Sequence, residues 1–475
     1  MDDPLPPPAS IPPDVWNTWP LAARVLITTL AQQVAALTTR VQELEQRLGQ
    51  TSQNSSKPPS SDPPSAPPRP AKTPRGRPRG GQPDHPGTTR ERREPDTIVP
   101  LHPTACPQCA TPLAPTLPDA TPPQTTQVWE LPPMTPHVTD YLQHTVCCPT
   151  CAARVTATLP PEARTGYGPR VTALVGHLHG TYHLSYRAIG DLLTDLADLP
   201  ISLGSTVTCT QRVSQALVPL DTAIHTAIQT AAVVNVDETS WREAGQRRWL
   251  WTATTAQATS FRITTSRGRP GLDALLPATF GGIIGSDRWN AYNRYTAAQR
   301  QLCWAHLTRN VRALAEGGMR DSPWASDLLG HITAMFTVWH AFRDGQTTRP
   351  TVQQAMQPIQ QAIRAALDDG QTRRWHKVTA LSQELLTWWD ALWTFVTHPG
   401  VEPTNNAAER VLRPAVIWRK QCFGTQSADG SRFVERILSV VTTCRQQGRN
   451  VWQLLTDAVR AAMTGQPAPT LLPTP

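Results

Sequence analysis

No uninterrupted apolar run in this chain approaches the ~18–20 residues of a membrane span, so no membrane crossing is expected. No basic region precedes an apolar stretch near Met1, where acidic and proline residues stand instead, which argues against a secretory signal. Cysteine is sparse, nine in 475 residues, and without a signal it does not read as a disulfide framework. A reducing, cytoplasmic location is expected. Hydrophobic residues make up only 39% of the chain, low for one folded throughout. The deficit sits at the front, where 31 of the 48 prolines fall within the first 150 residues. That third reads as extended or linker-like, and the core belongs to the rest. The length suits about three domains.

What is present begins with charge. The formal net charge is +8. Nine basic residues between Thr51 and Glu94, opposed by four acids, supply +5 of it. A focused basic segment on a tether suggests a polyanionic partner, most simply nucleic acid, against the blander reading of a solubilising linker. Within it, Pro74-Arg75-Gly76-Arg77-Pro78 matches the core of an AT-hook, with Arg79 beside it. Such a peptide can lie deep in a narrow A·T minor groove. Upstream, Ile27, Val34, Val41 and Leu48 alternate with Leu30, Leu37 and Leu44 at heptad spacing, predicting a parallel two-stranded coiled coil over 21–50 and hence a homodimer or higher oligomer.

Cys106-Pro107-Gln108-Cys109 and Cys148-Pro149-Thr150-Cys151 are two Cys-x-x-Cys knuckles, enough for one tetrahedral structural zinc in a ribbon over 99–160. Four thiolates leave no open position, so this metal would fold rather than catalyse. Residues 165–230 read as helical, with Ser185 and Ser205 as candidate caps on a helix-turn-helix-like pair. From 231, short apolar or alternating runs at 233–237, 247–255, 259–265, 282–287 and 300–305 predict an α/β sheet. Residues 306–398 are helical in pattern, and their tryptophans read as helical core.

Three acids stand out. Asp237 ends one apolar run, Asp287 follows another, and Glu409 opens a helix. Carboxylates at strand ends and on a helix are what a pair of Mg²⁺ ions ~3.5–4 Å apart needs to cut and join phosphodiesters. Each acid alone is ordinary, and Glu238, Asp273 and Glu402 compete with them. His306 in Cys303-Trp304-Ala305-His306 could contact a scissile phosphate or be a core histidine. Asn405 and Asn406 could cap the last helix or position its carboxylate. Arg410, Arg413, Arg419 and Lys420 could hold DNA phosphates.

Val-Asp-Glu-Thr at 236–239, Ser-Asp-Arg-Trp-Asn-Ala-Tyr at 286–292, Cys-Trp-Ala-His at 303–306 and Asn-Asn-Ala-Ala-Glu-Arg at 405–410 occur in that order. Upstream stand Asn-Ser-Ser-Lys-Pro-Pro-Ser-Ser-Asp at 54–62 and Gly-Gly-Gln-Pro at 80–83. Together they resemble the transposases of the insertion sequence sixty-six family of bacterial mobile elements. The resemblance implies a DDE transposase with an RNase H-like core over 231–464 and a helical insertion at about 312–400. It also implies two catalytic Mg²⁺ held by Asp237, Asp287 and Glu409, with His306 in the Cys-x-x-His role. DNA ends and target would be the partners, with accessory proteins of the same element. The alternatives are an RNase H-like nuclease without joining activity and a non-catalytic DNA-binding derivative. Residues 1–20 and 465–475 are expected to be disordered, and 51–98 to be a basic, proline-rich linker. Family members often have Thr-Asp-Gly-Tyr where this chain has Ser286-Asp287-Arg288-Trp289.

Overall fold

A computed structural model describes residues 11–48, 90–316 and 322–472. The chain divides into two units, one of 1–67, 140–190 and 202–475, the other of 68–139 and 191–201. The tract 74–78, Arg79, and the runs 54–62 and 80–83 lie outside the described residues.

The front is not wholly unstructured. Residues Pro13–Asn17 form a short helix, α1, started by a proline whose fixed φ suits the first helical position, and Trp16 is buried. Helix α2 (Leu21–Leu48) follows the predicted periodicity. Its seam residues Leu30, Val34, Leu37 and Val41 are exposed. Among the described residues its stretch Leu21–Thr38 is the one segment long and apolar enough to cross a membrane by length and composition. Arg24, Gln32 and Gln33 interrupt that stretch. Strands β1 (Thr145–Cys147) and β2 (Arg154–Thr156) then form an antiparallel pair.

Helices α3 (Pro169–Tyr182), α4 (Tyr186–Ala197), α5 (Leu203–Ala216) and α6 (Val218–Gln229) come next. Ser185 caps α4 by accepting from Ala188 N at 3.2 Å, as expected. The cap of α5 is Ser202, whose Oγ accepts from Ser205 N at 3.1 Å. Ser205 is therefore one turn inside the helix, not its cap.

The sheet has the order β5-β4-β3-β6-β7, made of β3 (Val233–Glu243), β4 (Gln246–Thr254), β5 (Thr259–Thr264), β6 (Ile283–Ser286) and β7 (Arg300–Leu302). A short helix α7 (Arg269–Asp273) sits before β6. β3, β4 and β5 are antiparallel, whereas β6 and β7 run parallel to β3. The β3–β4 hairpin closes through Ala244 and Gly245, both at positive φ, as a two-residue turn matched to strand twist requires. Helices α8 (Trp304–Glu316), α9 (Ser322–Arg343), α10 (Arg349–Gly370), α11 (His376–Thr387) and α12 (Trp389–Thr397) lie between β7 and the last three helices. They pack around their own core, in which Trp304, Trp324, Trp339 and Trp393 are buried. Helices α13 (Asn406–Cys422), α14 (Ala428–Gln446) and α15 (Val451–Thr464) return to the sheet and to α3. Beyond α15, Leu471 is buried in the sheet core and Thr470 O accepts from Arg449 at 2.8 Å. The described residues after α15, up to 472, are therefore docked rather than loose, because an apolar side chain joins the core.

β5 is an edge strand, and its free N–H groups would be costly if buried and a template for aggregation if exposed. α14 solves this with three side chains one turn apart. Thr443 Oγ1, Ser439 Oγ and Glu435 Oε1 accept from Thr259 N (3.0 Å), Phe261 N (2.9 Å) and Ile263 N (2.5 Å). Four helical residues span ~6 Å and two strand residues ~6.7 Å, so the two periods nearly match. Ser439→Ala leaves Phe261 N without its partner in a buried position. We expect a loss of about 1–3 kcal/mol, read as a lowered urea midpoint at unchanged slope.

Candidate active site

Val233, Val234 and Asn235 pair in parallel with Ile283, Ile284 and Gly285. Continuing that register by two residues sets Asp287 beside Asp237, on the same face of strands ~4.8 Å apart. Gly285 makes the pairing possible, since a Cβ there would collide with the Asn235 side chain. Asp237 is not at a strand end, as the apolar run implied. β3 continues six residues past it, paired with β4 through Asp237↔Thr252 and beyond. It is the parallel neighbour β6 that stops, and the two acids sit where it does.

The third acid arrives through a buried clamp. Cys303 N donates to Ser286 O at 2.9 Å, anchoring the residue after β7 to the end of β6. The Cys303 thiol accepts from Asn405 N at 3.2 Å, and Trp304 N donates to Pro403 O at 2.9 Å. Asn405 is fully buried, and its Nδ2 donates to Val236 O at 2.7 Å, one residue before Asp237. It begins α13 without capping it by its side chain. The side chain is spent on β3 instead, which holds the first turn of α13, and with it Glu409, over the strand. Glu409 Oε1 lies 3.6 Å from His306 Nε2 and 3.8 Å from Arg309.

The electrostatics report how near these groups are. Burial raises the Asp237 carboxyl well above the usual carboxylate range, and the charges of Glu238, Asp287 and Glu409 push it further. Burial and Arg309 lower the His306 imidazole, while Glu409 and Asp287 push it back up. His306 is thus a neutral ring at neutral pH facing two of the acids. Burial drives the Cys303 thiol up to about 11, so it serves as an acceptor and not as a nucleophile.

Two of the three competing acids are occupied. Glu238 is almost fully buried, accepting from Arg267 Nε at 2.9 Å and from Tyr292 OH at 2.7 Å. Asp273 is paired with Arg294. Glu402 is exposed. Three contributors escape sequence reading. Arg267 stacks over Trp289 at 4.1 Å while holding Glu238. Arg300, fully buried, donates to Asp287 O at 3.0 Å and to Ser286 Oγ at 3.3 Å, and so props up the Asp287 loop. Arg309 reaches Glu409. Only the spacing of Arg309 three residues after His306, one turn along a helix, could have flagged any of them.

On α13, Arg410, Arg413, Ile417 and Lys420 are exposed and spaced as one helical stripe that starts beside Glu409. Arg419 turns inward and bonds Ser240 on β3, which removes it from that stripe.

The two cysteine knuckles share one turn. Cys106 N donates to Thr111 O (3.0 Å) and Ala110 N to Cys106 O (2.9 Å); Cys148 N donates to Ala153 O (2.8 Å) and Ala152 N to Cys148 O (2.9 Å). Ala110 and Ala152 both take positive φ. Hydrogen bonds from Thr111 lower the Cys109 thiol to about 7, and those from Cys151 and Thr150 lower Cys148. Among the described residues, no three His, Cys, Asp or Glu side chains gather closely enough to hold a metal ion.

Residues 164–432, more than half of the chain and including all three acids, match the model of the Transposase IS66 family. Residues 10–91 match a family of unknown function (DUF6444). Among curated proteins, the uncharacterized protein y4qI of Sinorhizobium fredii (strain NBRC 101917 / NGR234) is 26% identical over 249 residues, 47% of this chain and 45% of that protein. The chain thus spans less than half the length of that relative.

Proposed function

Since the chain belongs to the IS66 transposase family, we propose that Asp237, Asp287 and Glu409 form the catalytic centre of a DDE transposase, which cleaves DNA at element ends and joins it to a target. The observation that carries this reading is geometric: the β3–β6 register sets Asp287 beside Asp237, and the Asn405–Val236 hydrogen bond ties the first turn of α13, which bears Glu409, to the same strand. The excess of negative charge there is what a hard cation offsets, and carboxylate oxygens are its preferred donors. Bound there, a pair of Mg²⁺ ions would supply activation of the attacking hydroxyl and stabilisation of the leaving oxygen. Asp237 and Asp287 are the natural first holders. Glu409, now drawn toward His306 and Arg309, would close over them. His306, neutral and next to Glu409, is suited to donate a hydrogen bond to the scissile phosphate. Arg410, Arg413 and Lys420 would track phosphates along α13. A mixed sheet with acids at its centre supports an RNase H-like core.

For the front of the molecule, the exposed seam of α2 supports pairing of protomers as a coiled coil. The turn of each Cys-x-x-Cys knuckle, Cys106–Cys109 and Cys148–Cys151, supports a part for each of them in holding structural zinc. Metal analysis of the purified protein should find about one zinc per chain, and Cys148→Ser should lose it. Unchanged zinc in that variant would refute the site.

A further inference from the structure

A cavity of about 1140 Å³ lies on the sheet unit, walled by α3, α5, the start of α4 and the α13–α14 corner. The reading above gives it no role. Its floor is aromatic. The His179 ring stacks on Tyr186 (4.4 Å, 29°) and on Phe433 (5.6 Å, 19°), with the edge of Trp418 against it at 5.6 Å. His179 Nδ1 is 2.9 Å from Leu184 O, so it carries the proton and the ring stays in place. Its rim is cationic. Among the described residues, Arg164, Arg212 and Arg436 bond neutral acceptors, namely Leu159 O (3.3 Å), Thr165 O (3.1 Å) and Ser214 Oγ (3.0 Å). A fourth arginine, Arg432, is paired with Glu435, and one exposed acid, Asp429, shares the rim. The first turn of the 19-residue α14 also faces the mouth, adding the partial positive charge of a helix start. The half-buried Tyr186 ring for a base, arginines for its phosphate, and a volume well above one nucleotide occur here together, with Trp418 and Phe433 buried as the support beneath.

Its position relative to the carboxylates is set by two elements common to both sites. On α13, Trp418 lies nine residues past Glu409, and on β3, Trp241 lies four residues past Asp237; both tryptophans line the cavity. At ~3.3 Å per residue the path along β3 measures about 13 Å; along α13 the axial rise is similar, but nine residues make about two and a half turns, so Trp418 stands on the side of the helix opposite Glu409. A DNA strand whose phosphate sits at the acids reaches the cavity within about two to four nucleotides, for steps between ~3.4 Å stacked and roughly twice that unstacked.

We propose that this cavity receives a single DNA nucleotide drawn out of its stack, two to four positions along the strand from the phosphate at Asp237, Asp287 and Glu409. The spacing rests on the catalytic reading above, whereas the nucleotide pocket itself does not.

Photocrosslinking with 5-iodouracil separates the two. In the first arm, full-length protein carrying Glu409→Gln is irradiated with a dodecamer of deoxythymidine bearing one 5-iodouracil. Adducts are expected on the peptides that carry His179 and Tyr186, falling at least tenfold in Tyr186→Leu, which keeps bulk without the ring, and in Arg436→Gln. Adducts confined to the basic tether, or equal yields in folded variants as judged by melting temperature, overturn the pocket. In the second arm, 5-iodouracil is moved base by base along duplexes taken from the DNA flanking the gene. Adducts at the same peptides should peak two to four nucleotides from the cut, and a peak elsewhere overturns the spacing. If the flanking DNA is never cut while the first arm succeeds, the catalytic reading fails and the pocket stands.

Discussion

Asp237→Asn is expected to have two opposite effects. Strand cleavage falls roughly a thousandfold or more, the several kcal/mol of transition-state stabilisation that a divalent ion supplies. At the same time the metal-free variant melts higher than the wild type at neutral pH. The sign follows from the direction of the shift. The folded carboxyl titrates well above its ordinary 3.8 because it is buried beside Glu238, Asp287 and Glu409. The folded chain therefore holds its proton longer than the unfolded chain does. Stability is lost as pH rises from that ordinary value toward the raised one, and stays lost above it. Asparagine carries no charge to repel. The gap in melting temperature between variant and wild type should be small near pH 4 and widen as pH rises. Each kcal/mol of relieved repulsion corresponds to about 2–4 °C in a unit of this size. Added Mg²⁺ should narrow the gap by stabilising the wild type alone. Scanning calorimetry across pH, with and without the cation, checks both directions. A wild type that melts higher at every pH would contradict the picture of a strained acid.

The second large effect is expected at a residue that touches no substrate. Asn405→Asp keeps the shape of the side chain but removes the donor to Val236 O and adds a negative charge next to three others. Val236 O loses its buried side-chain partner, and α13 loses its tie to β3. Loss of one buried hydrogen bond costs about 1–3 kcal/mol, and the added charge raises that further. Displacement of Glu409 by even ~1 Å should cut the cleavage rate about a hundredfold. Asn405→Ala should show the stability loss with a milder rate effect. Urea unfolding and single-turnover cleavage of both variants separate the two contributions. If both cleave at the wild-type rate while folded, Asn405 does not position Glu409.

Much of this arrangement was legible because its signals are local. The helical periodicity of α2, the tryptophan-rich helices and the strands at the apolar runs each depend on a few neighbouring residues. What was not legible depends on partners far along the chain. The second half of β3 reads as polar, with Glu238, Ser240 and Arg242 among its residues, because that part is satisfied by Arg267, Tyr292 and Arg419 and not by an apolar layer. Its length therefore escaped an apolar criterion, and Asp237 was taken for a strand end. For Asn405 the sequence leaves two readings open, a helix cap or a residue that positions the carboxylate, because asparagine before a helix suits either. Its true partner is 169 residues earlier. Glu435, Ser439 and Thr443 looked like an ordinary polar face of α14. Only the edge strand opposite gives them a purpose, and no pattern within α14 announces it. The order of the three acids was readable, but the register that sets Asp287 beside Asp237 came only with the sheet.

The central claim, that these carboxylates cut and join DNA, is tested most directly by a strand-transfer assay. The substrate is a labelled duplex from the DNA flanking the gene, incubated with supercoiled target and Mg²⁺. The wild type should nick the duplex to a free 3′ hydroxyl and give joined product, and chelation should abolish both. Glu409→Gln and Asp287→Asn should bind the duplex with wild-type affinity and yield neither. Joined product from either variant at the wild-type rate would contradict the assignment.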